Sequence, residues 1–164
     1  DNRINMIYEG TNTVQSLDLL GRKVLGNQGA TLKKFGKLVG QLVAEEGVNE
    51  KMAEFINPIA ILGEQMTKFT TEIGFKGMQN PDEVGAAAVD YLRVAGHLVF
   101  GYLFARMAQV SLRAIANGST DPFYTAKLQT ARFYFAKLFP ETVLLMRTAR
   151  AGSKVLMDTD AALA

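Results

Sequence analysis

Cysteine is absent from this chain of 164 residues, so a disulfide scaffold and a thiolate metal site are both excluded. Histidine occurs only once, which argues against a zinc site built from several imidazoles. The formal net charge is only +2 and the lysines are spread out, so the charge pattern does not indicate a nucleic-acid partner. This composition is compatible with a reducing compartment, and we expect a cytoplasmic protein.

No uninterrupted apolar run of about 18 residues is present, so we expect no membrane span. The most apolar region, Val94 to Val110, is interrupted by Gly96, His97, Gly101 and Arg106. No charged leader precedes an apolar run, so no signal peptide is expected. Because the sequence opens without methionine, we expect a piece of a longer polypeptide.

What the sequence does contain is helical periodicity. Prolines number only four, and Ala, Leu, Lys, Gln, Met and Glu recur throughout, which favours helix. Five stretches carry this pattern, at about residues 13–25, 30–46, 50–78, 80–117 and from 121 onward. The clearest seam steps by three and four through Met52, Phe55, Ile59, Leu62, Met66, Phe69 and Ile73. Nothing reads as a strand, so we predict an all-α, up-and-down bundle of four to six helices.

Particular residues mark the expected helix ends and faces. Asn80 and Asp121 each precede a proline and are predicted N-caps, and Glu83 is predicted to close a capping box with Asn80. Pro58 and Pro140 fall inside helical stretches and are predicted to kink or divide them. The buried face of the first helix is predicted to contain Val14, Leu17, Gly21, Val24 and Leu25.

The most informative segment precedes the first helix and reads Arg-Ile-Asn-Met-Ile-Tyr-Glu-Gly-Thr-Asn-Thr-Val-Gln over residues 3–15. Glu9 stands just before the predicted helix start, near the positive end of the helix dipole. Gly10 leaves the backbone open to close approach by a ligand. Hydroxyl, amide and free backbone N–H groups suited to phosphate or ribose oxygens come from Thr11, Asn12 and Thr13. Taken locally, the same residues could form only a solvated charge beside an ordinary turn and cap.

This segment resembles the acyl-CoA dehydrogenase motif Ile-Tyr-Glu-Gly-Thr, which is followed by a polar residue and by Gln four positions after the Thr. The continuation over residues 17–24 is similar to the same family. Residues 130–134, Pro140 and residues 150–152 resemble a helical domain added at the C-terminus in a bacterial subgroup. The resemblance implies that residues 1–27 end the catalytic helical domain and that residues 28–164 form the additional bundle.

The resemblance also implies a reaction and its participants. Glu9 would remove the α-proton of an acyl-CoA, and FAD would take the β-hydrogen as hydride, which gives a 2,3-enoyl-CoA. Glu9 and Gly10 would contact the substrate. Contacts with FAD would come from Thr11, Asn12 and Thr13. The expected acceptor is electron-transfer flavoprotein, and the enzyme is expected to be a homo-oligomer. The isolated chain is expected to bind FAD weakly or not at all and to be inactive.

Two other functions stay open. The chain could act mainly as a non-catalytic helical oligomerisation or interaction module, because the part after residue 27 shows no convincing polar constellation. It could also belong to the related acyl-CoA oxidases, which pass electrons to oxygen, because oxygen-access residues would lie outside this sequence.

Other polar residues are interpreted as structural. His97 follows Asp90 and Arg93 by two turns and one turn, and we interpret it as a hydrogen-bonded core residue. A solvated acidic face is predicted for Glu45, Glu46, Glu50 and Glu54, because no Glu-x-x-His accompanies them. Solvent-facing positions are predicted for Lys33, Lys34 and Lys37.

Overall fold

A computed structural model describes Ile4 and residues 11–158, and within that part the regular structure is entirely helical. The predicted all-α bundle is confirmed. The helices are α1 Asn12–Leu17, α2 Ala30–Glu46, α3 Ala53–Gln79, α4 Asp82–Ala116, α5 Pro122–Phe133, α6 Glu141–Ala149 and α7 Lys154–Met157. Three irregular helical segments accompany them: a π-helical continuation of α1 at Asp18–Leu25, a 3₁₀ turn at Glu50–Met52, and a π-helical continuation of α5 at Tyr134–Leu138.

Helix α4 is the centre of the bundle, and α1, α3, α5 and α6 all pack against it. Small residues on α4 allow these close approaches, since Ala87, Ala88 and Ala105 are fully buried. At Gly101, a Cβ would lie 2.8 Å from the Phe139 ring and 2.9 Å from a methyl group of Ile59. A side chain at this position would displace both neighbours.

The predicted seam, which runs from the 3₁₀ turn through α3, is buried along its whole length. Each of its members is at most 3% exposed: Met52, Phe55, Ile59, Leu62, Met66, Phe69 and Ile73. Burial of an aliphatic or aromatic side chain of this size contributes roughly 1.5–3 kcal/mol. Apolar spacing alone was therefore sufficient to identify the face that holds α3 in the bundle.

The predicted N-cap is confirmed at Asp121, whereas α4 begins at Asp82 with Pro81 in the N-cap position, and the predicted capping box does not form. Asn80 accepts a hydrogen bond from the backbone N–H of Asp82 at 3.1 Å, and Asp121 accepts one from Phe123 at 2.9 Å. The carboxylate of Glu83 instead bonds to Ser153, seventy residues later in the chain. The two donors of Ser153 take the place of the Asn80 backbone N–H that a capping box would use. The local sequence pattern could not reveal this contact, because Ser153 is far away in the chain.

The two interior prolines have different effects. Helix α3 continues through Pro58, and only the 3₁₀ turn before Ala53 is set apart from it. Pro140 does divide its stretch, because it lies between the π-helical end of α5 and the first residue of α6. The prediction of a break is thus confirmed at Pro140, whereas α3 is not divided at Pro58.

The predicted buried face of the first helix is wrong in its first half. Val14 is 65% exposed and Leu17 is 44% exposed, whereas Ser16, Leu20 and Val24 are buried. The reason is the π-helical segment, whose i→i+5 hydrogen bonds widen the turn. Residues four apart then stay on one face, so the pattern expected for an α-helix selects the wrong side.

Helix α4 is long and apolar enough to cross a membrane by length and composition, with a mean hydropathy of 1.2 over its most apolar window. In the bundle, 33% of that window is buried. The core helix of a soluble protein meets the same criterion, so this property alone does not establish a span.

Candidate functional site

The predicted site residues fall at the start of α1. Glu9 and Gly10 lie outside the described residues. Thr11 is the N-cap residue, and its side chain makes no capping hydrogen bond. Its carbonyl oxygen accepts the N–H of Gln15 at 2.9 Å, which begins the helix. The side chains of Thr11, Asn12 and Thr13 are all exposed.

This helix start presents hydrogen-bonding groups to solvent. The first backbone N–H groups of a helix have no partner within the helix, and they lie at the positive end of its dipole. The side chains of Thr11, Asn12 and Thr13 are exposed and make no hydrogen bonds with one another or with other residues of 11–158. Such groups suit the phosphate and polyol oxygens of a dinucleotide.

The bundle holds α1 firmly behind this exposed start. Ser16 is fully buried, and its hydroxyl donates to the Thr13 carbonyl at 2.7 Å. Leu20 and Val24 are buried in the same core as α4. The beginning of α1 is therefore fixed in position by residues of the bundle.

The π-helical segment after α1 gives Asp18 two cationic partners. Its carboxylate pairs with Arg22 and lies 2.9 Å from the Nζ atom of Lys23. The hydrogen bond from Arg22, followed by the one from Lys23, lowers the pKa of the Asp18 carboxyl. The two cations outnumber the carboxylate, so this turn carries a net charge of +1, and both Asp18 carboxylate oxygens are engaged in ion pairs.

Residues 150–153, which follow α6, contact both α3 and α4. Arg150 lies 4.7 Å from the Phe69 ring centre and donates to Glu72 at 2.9 Å. Glu83 accepts from the backbone N–H of Ser153 at 2.9 Å and from its hydroxyl at 2.6 Å. These hydrogen bonds lower the pKa of Glu83. Part of the chain that resembled the added domain therefore has a structural role.

His97 is hydrogen-bonded as predicted, but it lies at the edge of the core, with 15% of its side chain exposed. Its Nδ1 atom lies 2.9 Å from the Tyr134 hydroxyl, and its Nε2 atom lies 3.0 Å from a Glu141 carboxylate oxygen. Arg93 pairs with the same carboxylate. Burial, with the nearby Glu141 charge, raises the pKa of Tyr134 to about 12. The hydrogen bond from His97 is the main cause of a lowered Glu141 pKa. Both ring nitrogens are thus engaged, and Asp90 bonds elsewhere, to a threonine of α6.

The prediction of a solvated acidic face is wrong for Glu46. This carboxylate is only 4% exposed, and it accepts from Gln109 at 2.5 Å, Arg113 at 2.6 Å and Asn49 at 2.8 Å. Burial favours the neutral acid, but these three donors and the Arg113 charge outweigh it and lower the pKa of Glu46. Its neighbour Glu45 does lie at the surface. Among the described residues no group of acidic or histidine side chains could hold a metal ion.

A feature that the sequence did not reveal is a large groove between α2 and α3. Its volume is about 1330 Å³, and Gly21 and Leu25 of the π-helical segment form part of its lining. Exposed apolar side chains of α3, Ile61 and Phe75, lie along it. Local periodicity could not show the groove, because it records which residues face a neighbour and not how far away that neighbour is.

Comparison with known proteins gives one family and several relatives. Residues 29–160 match the family described as "Acetyl-CoA dehydrogenase C-terminal like". The 3-methylmercaptopropionyl-CoA dehydrogenase of Ruegeria pomeroyi is 32% identical over 145 residues, which cover 86% of this chain and 24% of that protein.

Two further relatives are more distant. The broad-specificity linear acyl-CoA dehydrogenase of Mycobacterium tuberculosis is 23% identical over 99% of this chain and 28% of that protein. A butyryl-CoA dehydrogenase of Syntrophomonas wolfei is 26% identical over 96% of this chain and 26% of that protein. The chain therefore spans about a quarter of the length of the curated relatives it matches.

Proposed function

The chain belongs to the acetyl-CoA dehydrogenase C-terminal-like family, and from this premise we propose that it is the C-terminal part of a flavin-dependent acyl-CoA dehydrogenase. In this proposal the longer enzyme oxidises an acyl-CoA to a 2,3-enoyl-CoA. Residues 1–27 complete the catalytic helical domain, and residues 28–164 form an additional bundle. The observation that carries the proposal is the exposed start of α1, fixed by the bundle directly after the Tyr8-Glu9-Gly10 sequence.

The fit to FAD is supported by the chemistry of the helix start. Thr11, Asn12 and Thr13 are exposed, and within residues 11–158 their side chains have no hydrogen-bond partners. In the proposal these three residues bind FAD, and the N–H groups of the first turn, which a helix leaves without partners of its own, favour its anionic and polyol oxygens. When bound, FAD supplies the acceptor for the hydride that leaves the β-carbon.

The residue proposed to move the proton is Glu9. Its carboxylate takes the α-proton of the thioester while the β-hydrogen leaves with the electron pair of its bond, so a double bond forms between the two carbons. The α-proton is only weakly acidic, so the thioester oxygen needs a hydrogen bond as negative charge develops on it. We assign one such donor to the backbone N–H of Glu9, and we assign substrate contact to Gly10.

Glu9→Gln in the full-length enzyme tests this proposal. We expect retained FAD and acyl-CoA binding, and flavin bleaching slowed by about 10²–10⁴ because a general base is lost. Glu45→Gln, at an exposed position of α2 away from the helix start, is the control and should bleach at the rate of the unmodified enzyme. Bleaching at the unmodified rate by Glu9→Gln would reject Glu9 as the base.

The remaining parts of the proposal concern partners. We propose electron-transfer flavoprotein as the acceptor, a homo-oligomeric enzyme and a cytoplasmic location. The isolated chain should be inactive, because most of the flavin and substrate contacts would come from the other three quarters of the enzyme. With oxygen as sole acceptor, prompt peroxide formation by the full-length enzyme would instead indicate an oxidase.

A further inference from the structure

The groove between α2 and α3 is an open surface that nothing in the proposed reaction uses. Besides its volume of about 1330 Å³, it has a strongly apolar rim on α3. Ile61 is 58% exposed, Phe75 is 66% exposed and Met78 is 83% exposed. Contiguous apolar surface of this kind marks an interaction site in a soluble protein.

The α2 wall has the shape that a helix needs. Gly36 and Gly40 stand one turn apart and line the groove, and a Cβ on either would meet nothing within 4 Å. A glycine inside a helix costs about 1 kcal/mol relative to alanine, and here the packing within residues 11–158 does not require it. At these two positions the α2 wall has no side chain, which lets the backbone of another helix approach closely.

The charge on the α2 wall selects among possible occupants. Lys33 and Lys37 are exposed and line the groove. Within residues 11–158 neither makes an ion pair. A second copy presenting its own α2 would set lysines against lysines. The α3 wall adds one carboxylate, Glu64, which lies 3.8 Å from the Nζ atom of Lys68. The lining therefore keeps a net positive charge, and an occupant that carries carboxylates would pair with the two lysines.

We propose that an amphipathic helix with acidic residues along its flank, contributed by the rest of the longer enzyme, fills this groove. The inference rests on the proposed function, which places this chain within a polypeptide about four times as long. The π-helical segment that continues the dehydrogenase-like motif borders the groove through Gly21 and Leu25. The catalytic part of the enzyme therefore adjoins the groove.

Thiol labelling of the full-length enzyme tests whether the groove is covered. The chain has no cysteine, so Gly40→Cys introduces the one thiol of this region. Gly85→Cys is the matched control, because Gly85 is also an exposed helical glycine with nothing within 4 Å of its Cβ position, and it lies outside the groove. We expect the Gly40→Cys thiol to react about tenfold or more slowly than the Gly85→Cys thiol before denaturation, and equally fast after it. Equal rates in the native enzyme would overturn the proposal.

A photo-cross-linker attached to the Gly40→Cys thiol identifies the occupant. Attachment to an acid-bearing segment of the same polypeptide, outside residues 1–164, supports the proposal. Attachment to α2 of a second copy, to a separate protein or to a co-purified long-chain amphiphile overturns it. Flavin bleaching is measured on the same samples. A covered groove in an enzyme that acyl-CoA does not bleach would reject the dehydrogenase proposal while leaving the groove proposal standing.

Charge reversal tests the acidic character of the occupant. Lys37→Glu places a negative charge in the groove, and we expect it to accelerate labelling of the Gly40→Cys thiol by about fivefold or more as the helix is repelled. Lys34→Glu is the control, since Lys34 is on the same helix but does not line the groove. If the Gly40→Cys thiol is labelled equally slowly in both variants, the proposed acidic character of the occupant is wrong.

Discussion

Glu46 offers the sharpest test of how the bundle is held together. Its carboxylate is buried at the end of α2, and the buried amide of Gln109 is its closest donor, at 2.5 Å. Hydrogen bonds to a charged group contribute about 1.5–3 kcal/mol each. The bonds from Arg113 and Asn49 are weakened by solvent, because those two side chains are largely exposed. We therefore expect Glu46→Ala to lower the free energy of unfolding by roughly 2–4 kcal/mol in total.

The adjacent residue supplies the control. Glu45 is 54% exposed at its side chain and lies 3.6 Å from Arg106, so Glu45→Ala should change stability by at most about 0.5 kcal/mol. Urea unfolding of both variants of the chain measures the difference in their free energies of unfolding. In thermal unfolding, the Tm of Glu46→Ala should fall by roughly 4–16 °C. Equal stabilities of the two variants would refute the reasoning, because burial would then have no measurable consequence.

The same pair of proteins predicts a pH dependence. The pKa of Glu46 is lower in the folded chain than its usual value. A lowered pKa stabilises the fold fully above the unfolded pKa, and this stabilisation disappears as the pH falls through the folded one. The stability difference between the unmodified chain and Glu46→Ala should thus stay constant above about pH 4.3 and narrow with further acidification. A stability difference between the two proteins that grows as the pH falls would contradict this prediction.

Two glycines give further predictions, both measured by urea unfolding. Gly101→Leu should destabilise the bundle by about 3 kcal/mol, because Phe139 and Ile59 already occupy the space around that Cβ position. An unchanged midpoint would show that α4 can shift freely. Gly152→Ala should cost about 1 kcal/mol more than Gly118→Ala. Both glycines have positive φ, but only at Gly152 does the Cβ meet a carboxylate, 3.1 Å away. Equal costs for the two variants would contradict the packing argument.

Local chemistry was enough to predict most of the helical framework. The seam of α3 is recognisable because its members follow a repeat of three or four residues. The side chains of Asn80 and Asp121 likewise accept hydrogen bonds from backbone N–H groups only two residues away. Such features depend on the nearest turns of the chain. They are therefore visible in a sequence without knowledge of the fold.

The features that the sequence did not reveal depend on distant parts of the chain or on an unusual helical turn. Glu83 bonds to a residue seventy positions away, and Glu46 is buried by α4, sixty-three positions from its Gln109 partner. The exposed side of α1 was misassigned because the π-helical turn changes the residue repeat. The start of α1 was located within one residue, since helix formation there begins at Asn12.

The burial of α1 constrains how the roles of motif and bundle can be separated. A cut between residues 27 and 28 would expose Leu20, which is fully buried, and Val24, which is 4% exposed. Exposing two such side chains costs roughly 1.5–3 kcal/mol each. Lost activity after this cut could then result from a displaced α1 and not from a missing catalytic group. Substitution at Gly40 leaves the contacts of Leu20 intact, because a Cβ there meets nothing within 4 Å. Substitution at Gly40 therefore tests docking in the groove without displacing α1, whereas truncation would change both at once.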